Sequence, residues 1–166
     1  MFIGRTEELK ALNKQYLSNK FEFAVIYGRR RIGKTSLLQE FIKDKEALFF
    51  TGLETTEKQN LINLSSVILD SDTQDLSFNT YQSALEKIFE KANYERFIFV
   101  IDEYPYLANS YPAISSLLQL LIDKNKENSK MFLILCGSSM PFMEEQVLGY
   151  KSPLYGRRTA QYKILP

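Results

Sequence analysis

The sequence predicts an α/β fold in which a mostly parallel sheet carries helices on both faces. Three short runs, residues 21–27, 97–101 and 131–136, are almost continuously apolar and rich in β-branched and aromatic residues. Strands covered on both faces have this composition, whereas half-exposed strands alternate between apolar and polar residues. Helical patterns lie between the runs, and strands that alternate with helices connect through right-handed crossovers into a parallel sheet.

Four helices are predicted from apolar residues that recur every three or four positions. The first has Thr6 as its expected N-cap, with Glu7 and Glu8 in the first turn, where carboxylates complement the helix dipole. The second directly follows residues 33–35, and the last is entered through Pro112, near its first turn. The four apolar stripes are Leu9, Leu12 and Tyr16; Leu38, Phe41 and Ile42; Tyr81, Leu85, Ile88, Phe89 and Ala92; and Ile114, Leu117, Leu118, Leu121 and Ile122.

Two weaker strands and one loop complete the predicted pattern. Residues 47–51 and 160–164 show fainter strand patterns than the three central runs. The stretch 70–75 is polar and is predicted as a loop that joins two helices. We find no internal repeat and no clear domain linker, so the 166 residues are expected to form one domain.

Composition excludes several classes of protein and of active site. With 45% hydrophobic and 25% charged residues, the chain is neither disordered nor collagen-like. The 21 Lys and Arg residues balance 20 Asp and Glu residues, which argues against a strongly basic nucleic-acid face for the chain as a whole, although not against a local basic patch. There is no histidine and one cysteine, Cys136, which excludes imidazole catalysis, histidine metal sites and disulfides within the chain. Because no apolar stretch approaches the length of about 18 residues that a membrane helix needs, we expect a soluble, cytoplasmic protein without membrane contact.

Residues 28–35 form the strongest motif, since they match the phosphate-loop pattern G-x-x-x-x-G-K-[ST] between a predicted buried strand and a predicted helix. Gly28 and Gly33 permit backbone conformations closed to other residues, so that successive N–H groups can point at one anion. The helix that follows adds the positive end of its dipole. Lys34 is expected to contact the β- and γ-phosphates of a nucleotide, and Thr35 is expected to bind Mg²⁺ through its hydroxyl.

Three consecutive arginines, Arg29, Arg30 and Arg31, lie inside this motif. Their guanidinium groups could contact the γ-phosphate of a nucleotide or the acidic surface of a partner. Arginines in such loops are also commonly solvated or paired with carboxylates, and the sequence leaves both alternatives open.

Two carboxylates, Asp102 and Glu103, follow the buried run 97–101. Because burying a charge inside a sheet is unfavourable, acids at the carboxyl end of a strand usually lie in the crevice where α/β proteins bind ligands. Asp102 is expected to hold the Mg²⁺ shell, and Glu103 to orient and polarise the attacking water. Neighbouring strand residues point in opposite directions, which would let one acid face the metal and the other the water. The alternative is that both acids merely cap the strand.

Two small polar residues, Ser138 and Ser139, follow the third buried run. A hydroxyl here could contact the γ-phosphate or the water and report hydrolysis to the rest of the molecule, and Ser138 is the candidate for this role. Ser139 could instead cap a helix begun by Pro141. The two alternatives are compatible because they concern different serines.

A further candidate, Arg157, lies shortly before the last predicted strand. An arginine there could stabilise the charge of a transition state in the same chain or across a subunit interface, where such fingers contribute about 10³–10⁵ in rate. Alternatively, it could form a surface ion pair with Glu144 or Glu145.

With these residues in place, the chain resembles P-loop ATPases of the additional-strand, catalytic-glutamate group. More narrowly, it is similar to the archaeal-type ATPase family of the STAND branch, relatives of the AAA+ proteins. The likeness is carried, in matching order and spacing, by residues 2–5 with Glu8, by 27–36, by 101–107, and by 136–139 with 152–157. One departure is Thr6, because the branch usually has glutamate directly after its Gly-Arg pair.

The resemblance implies a P-loop NTPase three-layer sandwich with a five-stranded, mostly parallel sheet in the order 5-1-4-3-2. It implies that the strand ending at Cys136 lies between the phosphate-loop strand and the Asp102 strand, and that residues 2–4 lie near the adenine. From the motif and the resemblance together, the residues expected to bind the nucleotide are Phe2, Ile3, Gly4, Gly28, Arg29, Arg30, Arg31, Ile32, Gly33, Lys34, Thr35 and Ser36.

The resemblance also concerns regions outside this domain. Family members continue into a helical lid, a winged-helix domain and often a restriction-endonuclease-like domain, so residues 1–166 are expected to be the ATPase core of a longer protein. Since the lid normally covers the nucleotide, the core alone is expected to bind ATP weakly and to hydrolyse it slowly. The expected partners are ATP and ADP, a second copy or a partner protein, and DNA only through the further domains.

The leading hypothesis is a Mg²⁺-dependent ATPase that acts as a conformational switch, with Lys34, Glu103, Ser138 and Arg157 in catalytic roles. A second hypothesis is a non-catalytic, ATP-gated regulatory or DNA-associated scaffold, although the near-zero charge argues against DNA binding by this domain alone. A third is a small-molecule kinase, which shares the phosphate loop but needs an acceptor pocket. Two adjacent acids at a strand end favour the ATPase, and the lack of an Asn-Lys-x-Asp guanine signature favours ATP.

Overall fold

A computed structural model of the chain describes residues 5–70 and 77–166. In chain order, its elements are α1 (Thr6–Leu17), β1 (Glu22–Tyr27), α2 (Lys34–Ile42), β2 (Ala47–Thr51), α3 (Glu57–Leu69), α4 (Tyr81–Lys91), β3 (Phe97–Asp102), α5 (Tyr104–Ser110), α6 (Ile114–Asn125), β4 (Met131–Gly137), α7 (Met140–Phe142), a π-helical turn (Met143–Val147) and β5 (Ala160–Lys163). Within the described ranges, no helix is both long enough and apolar enough to span a membrane.

The five strands form one parallel sheet in the order β2-β3-β4-β1-β5. Read from the other edge, this is the order 5-1-4-3-2, so the predicted topology is confirmed. Strand β4 lies between β1 and β3, with Cys136 beside Ile26 of β1 and Leu135 beside Ile101 of β3. The carboxyl ends of the three central strands therefore meet at one edge of the sheet.

The central strands face two separate hydrophobic cores, because successive side chains in a strand point to opposite faces of a sheet. On one face, residues such as Phe99 and Leu133 pack against helices α3 to α6. On the other face, residues such as Val100 and Ile134 pack against α1 and α2. All residues of β1, β3 and β4 are buried, which explains their continuous apolar composition and confirms the three-layer α/β fold.

The predicted strands agree with the structure to within one residue at each end, but the start of α1 differs. The N-cap of α1 is Arg5 rather than Thr6, with a left-handed φ of 61°. The Arg5 guanidinium donates hydrogen bonds to the carbonyl oxygens of Ile32 (2.9 Å) and Leu165 (2.6 Å), and so ties the start of α1 to the phosphate loop. At α6 the N-cap is Ala113, so the chain enters the helix through Pro112 just before its first turn, as predicted.

Helices α3 and α5 are absent from the four predicted helices, although the loop predicted at 70–75 implies a helix before it. Helix α5 is separated from β3 by Glu103 alone and spans only seven residues with Pro105 in its first turn, which is too short for an apolar stripe to be recognised. In the predicted loop 70–75, Asp70 is the left-handed C-cap of α3 with φ 51°. The rest of that loop lies outside the described residues, and so do residues 2–4, for which we expect a position near the adenine.

Candidate functional site

A cavity of about 520 Å³ lies at the carboxyl edge of the sheet. Its lining includes Lys34 and Thr35 from the start of α2, Asp102 and Glu103 at the end of β3, and Ser138 after β4. The fold thus brings together motif residues that are far apart in sequence. It places them at the sheet edge where open α/β folds bind ligands.

Two glycines shape the phosphate loop between β1 and α2. Gly33 is the N-cap of α2 with a left-handed φ of 91°, and a Cβ there would meet no heavy atom within 4 Å beyond its chain neighbours. The backbone conformation therefore requires glycine, and the loop is open at this point. At Gly28, a Cβ would lie 2.5 Å from the carbonyl oxygen of Ile164 and 2.8 Å from Cδ1 of Ile32, so close packing requires glycine there.

Lys34 is the first residue of α2, and only 5% of its surface is exposed. Its Nζ donates a 2.8 Å hydrogen bond to the carbonyl oxygen of Gly28 and another to that of Arg29. Burial lowers the pKa of Lys34, and the nearby carboxylates of Glu103 and Asp102 oppose this effect. The loop thus encloses an amine whose carbonyl partners could be exchanged for phosphate oxygens, which are stronger acceptors.

Thr35 and Asp102 present two neighbouring oxygen atoms to the cavity. The Thr35 hydroxyl donates a 2.8 Å hydrogen bond to Oδ2 of Asp102, whose Oδ1 accepts one of 3.0 Å from the N–H of Glu103. Across residues 5–70 and 77–166, no group of three or more cysteine, aspartate or glutamate side chains could hold a metal ion by itself. One carboxylate and one hydroxyl nevertheless fit Mg²⁺, which keeps several waters and takes further ligands from substrate phosphates.

Glu103 follows β3 as the N-cap of α5, and its backbone is left-handed with φ 53°. Its Oε1 accepts a 3.0 Å hydrogen bond from Oγ of Ser138, which joins the end of β3 to the segment after β4. The expectation that strand alternation separates the two acids is wrong, because Glu103 lies beyond the strand and the left-handed turn directs its side chain. Strained conformations of this kind in non-glycine residues cluster at functional sites.

The turn that carries Glu103 is closely packed by backbone and small residues. A Cβ at Gly52, after β2, would lie 2.7 Å from the carbonyl oxygen of Glu103. A Cβ at Gly137, the last residue of β4, would lie 2.7 Å from Sδ of Met143 and 2.8 Å from Cδ of Pro105. The position of Glu103 therefore depends on glycines in two neighbouring strand ends.

The three arginines of the phosphate loop differ in position. Arg30 donates a hydrogen bond to the hydroxyl of Tyr106, and both side chains line the cavity, as does Arg31. The side chains of Arg29 and Ile32 do not line it. Arg29 is exposed to solvent, and Ile32 packs against the core beside α1 and α2. Among the residues that the structure describes, none of these arginines forms an ion pair with a carboxylate.

Arg157 lies at the opposite edge of the sheet from the cavity. It precedes β5. The backbone N–H of Thr159, two residues later, donates a 2.7 Å hydrogen bond to the carbonyl oxygen of Phe23, near the start of β1. The guanidinium forms two hydrogen bonds with the carboxylate of Asp123, at 2.9 Å and 2.8 Å. The structure therefore places Arg157 outside the cavity of its own chain, and its carboxylate partner is Asp123 rather than either glutamate of 144–145.

Two residues that line the cavity are missing from the predicted site. Thr51 is the last residue of β2, beside β3, so the strand-end rule that locates Asp102 could also have found it. Tyr106 lies on α5, and no local pattern indicates its contact with the phosphate loop. Ser36, a predicted nucleotide-binding residue, does line the cavity.

Comparison with known proteins assigns the chain to a family. Residues 2–166 match the sequence model of a family described as an ATPase domain predominantly from Archaea. The chain belongs to this archaeal ATPase domain family. The uncharacterized protein MJECL04 of Methanocaldococcus jannaschii is 40% identical to this ATPase domain over all 166 residues, which correspond to 36% of that relative. The uncharacterized ATP-binding protein MJ0423 of the same organism is 44% identical over 46 residues, 28% of the domain and 78% of that relative.

Three solved structures share the fold of this archaeal ATPase domain. The Walker-type ATPase PABY2304 of Pyrococcus abyssi has a TM-score of 0.75 at 21% identity, covering 99% of the domain and 54% of that chain. The ORC1 protein of Aeropyrum pernix in complex with DNA has a TM-score of 0.71 at 17% identity, covering 100% of the domain and 46% of that chain. The ORC2 protein of Aeropyrum pernix, in ADPNP–ADP complexes, has a TM-score of 0.69 at 16% identity, covering 98% of the domain and 48% of that chain. The likeness shows the P-loop ATPase fold, and the domain spans about half of each of these chains.

Proposed function

We propose that this domain binds ATP together with Mg²⁺, hydrolyses it to ADP and phosphate, and acts as a conformational switch. Membership of an ATPase domain family supports ATP binding and hydrolysis in general. One observation carries the specific proposal: the Thr35 hydroxyl lies 2.8 Å from the Asp102 carboxylate, beside a Glu103 that Ser138 holds in the same cavity. The pair that we propose to hold the metal and the carboxylate that we propose to orient water are thus adjacent to the phosphate loop.

The phosphate loop would bind the triphosphate through main-chain amides and one cation. The N-terminus of α2, which begins at Lys34, supplies N–H groups and the positive end of a helix dipole. The Lys34 amine would exchange the carbonyl oxygens of Gly28 and Arg29 for phosphate oxygens. Bonds of this charge-assisted kind are about twice as strong as neutral ones, so binding would favour the exchange.

Thr35 and Asp102 would hold the metal ion. The Thr35 hydroxyl has lone pairs beyond the hydrogen that it donates to Asp102, and the Asp102 carboxylate supplies negative charge. When bound, Mg²⁺ neutralises charge on the β- and γ-phosphate oxygens.

Glu103 would orient the attacking water and accept one of its protons. The water oxygen forms a bond to the γ-phosphorus, while the bond from that phosphorus to the bridging oxygen breaks and its electron pair leaves with ADP. One water proton stays on the phosphate, and the other passes to Glu103 and then to solvent. The chain contains no histidine that could act as a base. Because Asp102 would bind the metal together with Thr35, Glu103 is the carboxylate in the cavity that is suited to this role.

Ser138 would connect hydrolysis to the rest of the molecule. It donates to Glu103 and is followed closely by α7, so a change at the Glu103 carboxylate alters a contact of the segment after β4. The switch would act on a second copy or a partner protein. Arg157 could then contact only a nucleotide that is bound to a neighbouring molecule. Because the net charge of this domain is +1, DNA would be bound by other regions of the protein.

Nucleotide binding and phosphate release by three forms of the chain test the proposal. The wild type should bind ATP with Mg²⁺ and release phosphate without an added acceptor, which distinguishes hydrolysis from kinase activity. Lys34→Ala should lose ATP binding. Glu103→Gln should keep ATP binding, but its rate of phosphate release should be lower by about 100-fold or more. Equal turnover by Glu103→Gln and the wild type would refute the role of Glu103. Wild-type binding without any turnover would favour a non-catalytic, ATP-gated scaffold.

A further inference from the structure

We propose that Arg30 contacts the terminal phosphate of the bound nucleotide within its own chain, and that Tyr106 is the positioning residue that holds the Arg30 guanidinium at the cavity. The inference rests on the proposed function, because it assigns a further contact at the same site. It also gives the terminal phosphate a cationic contact besides Lys34, among the three cationic side chains, Arg30, Arg31 and Lys34, that line this cavity.

The contact between Arg30 and Tyr106 bridges two walls of the cavity. Arg30 lies on the phosphate loop after β1, and Tyr106 lies on α5 after β3. A hydrogen bond from Nη2 of Arg30 to the Tyr106 hydroxyl joins residues 76 positions apart in sequence. The guanidinium carbon is 6.0 Å from the ring centre, the limit of an effective cation–π contact, so the hydrogen bond is the main attachment.

Tyr106 places this cation close to the carboxylate that would orient water. Its backbone N–H donates a 3.0 Å hydrogen bond to the carbonyl oxygen of Glu103, so the two residues belong to one turn. Both line the cavity with Arg30 and Lys34. Lys34 is buried inside the loop, whereas Arg30 is exposed and reaches the α5 wall, so the two cations approach the cavity from different positions.

The surroundings of Arg30 leave it suited to phosphate. A guanidinium has five N–H donors, and the hydrogen bond that the described residues show for Arg30 is to a neutral hydroxyl. Unlike the guanidinium of Arg157, which a carboxylate engages at two atoms, that of Arg30 keeps donors for bidentate binding of phosphate oxygens. Because ADP lacks the γ-phosphate, a contact to that group should appear as a preference for ATP.

Affinities for ADP and for a non-hydrolysable ATP analogue, both with Mg²⁺, test this inference in the full chain. Arg30→Ala should weaken binding of the analogue by about tenfold or more, the effect of losing a hydrogen bond between charged groups, and binding of ADP by no more than about twofold. Arg30→Lys should recover part of the loss, because it keeps the charge without the planar fork. Tyr106→Phe keeps the ring and should reduce the same preference by a smaller factor.

Two matched controls remove the same chemical groups from residues that do not line the cavity. Arg158→Ala removes an exposed arginine, and Tyr94→Phe removes the hydroxyl of a tyrosine that is 83% exposed. Both should leave the preference for the ATP analogue over ADP unchanged. Thermal unfolding of every variant identifies any loss of the fold, and if Arg30→Ala fails to fold, Arg30→Lys and Tyr106→Phe decide the question.

Three results would overturn the inference: an unchanged preference in the Arg30 variants, an equal loss of affinity for both nucleotides, or tighter binding of the analogue. Each would leave the proposed function standing, because the wild type would still bind the nucleotide. If the wild type binds neither nucleotide, the proposed function and this inference fail together.

Discussion

The hydroxyl of Thr35 donates a 2.8 Å hydrogen bond to Oδ2 of Asp102, although 67 positions separate the two residues in sequence. Thr35 lies in the helix that follows β1, whereas Asp102 ends β3. These two strands are not neighbours, since β4 lies between them. The start of α2 therefore lies across the end of β4 to reach β3. This relationship brings the phosphate loop and the acidic pair into one cavity, and several predictions depend on it.

Asp102→Asn should remove most of the dependence of ATP affinity on Mg²⁺. Asparagine keeps the size of the side chain but lacks the charge that attracts a divalent cation. With a chelator present, we expect wild-type affinity for an ATP analogue to fall by about tenfold or more and that of the variant by no more than about threefold. Isothermal titration calorimetry with and without Mg²⁺ measures both. If the variant keeps the full wild-type response to Mg²⁺, Asp102 is not a metal ligand.

Ser138→Ala should lower the rate of phosphate release by about three- to tenfold and leave nucleotide affinity near that of the wild type. The variant removes one hydrogen bond to the Glu103 carboxylate, a contribution of about 1 kcal/mol. Ser139→Ala is the matched control, because Ser139 is exposed and makes no side-chain cap to α7. Steady-state phosphate release compares the two variants, and an equal loss in both would show that the bond to Glu103 is not responsible.

Gly137→Ala should lower the free energy of unfolding by about 1–3 kcal/mol, because the added Cβ would lie 2.7 Å from Sδ of Met143. Adding Met143→Ala relieves this contact, while the contact of the methyl group with Cδ of Pro105, at 2.8 Å, remains. The double variant should therefore lose less stability than the sum of the two single variants, as measured by urea unfolding. Strictly additive losses would mean that Gly137 and Met143 are not in steric conflict.

Tyr104→Phe should change how stability depends on alkaline pH. Tyr104 is fully buried, its hydroxyl is 2.5 Å from Oγ of Ser115, and burial raises its pKa far above the usual value. The unfolded chain releases this proton near pH 10, while the folded protein retains it, so the stability that this group contributes is complete below about pH 10 and falls as the pH rises further.

The phenylalanine variant has no such proton, so its unfolding free energy should decline less steeply above pH 10, although it should be about 1 kcal/mol lower at pH 7. Urea unfolding at a series of pH values measures the slope. Tyr94→Phe, at a position 83% exposed, should keep the wild-type slope. Parallel curves for Tyr104→Phe and the wild type would contradict the prediction.

Much of the fold is predictable because the central strands are buried on both faces. That environment selects unbroken apolar runs such as residues 97–101, which stand out from the amphipathic helices around them. The phosphate loop is equally visible, since its chemistry needs fixed residue types at fixed spacing. The order of the strands, in contrast, follows from the resemblance to a known family, because no local pattern encodes which strands pair.

The position of Arg157 relative to the phosphate loop could have been predicted from the sequence. In a parallel sheet, a segment that precedes a strand lies at the amino edge, whereas the phosphate loop follows β1 and lies at the carboxyl edge. This rule alone separates Arg157 from the nucleotide of its own chain.

Other features of the site depend on packing between distant segments. The left-handed backbone of Glu103 is held by neighbours that include Gly52, which follows a different strand. The contact between Arg30 and Tyr106 joins two side chains whose surroundings in sequence give no sign of it. Such contacts become visible only when the fold brings the segments together.

A crystal structure of the full chain with a non-hydrolysable ATP analogue and Mn²⁺ in place of Mg²⁺ tests the central claim most directly, because anomalous scattering locates the metal. We predict phosphate oxygens within hydrogen-bond distance of Nζ of Lys34, and the metal about 2.0–2.2 Å from the Thr35 hydroxyl with Asp102 beside it. A nucleotide bound away from residues 28–35, or a metal that contacts neither Thr35 nor Asp102, would contradict the account.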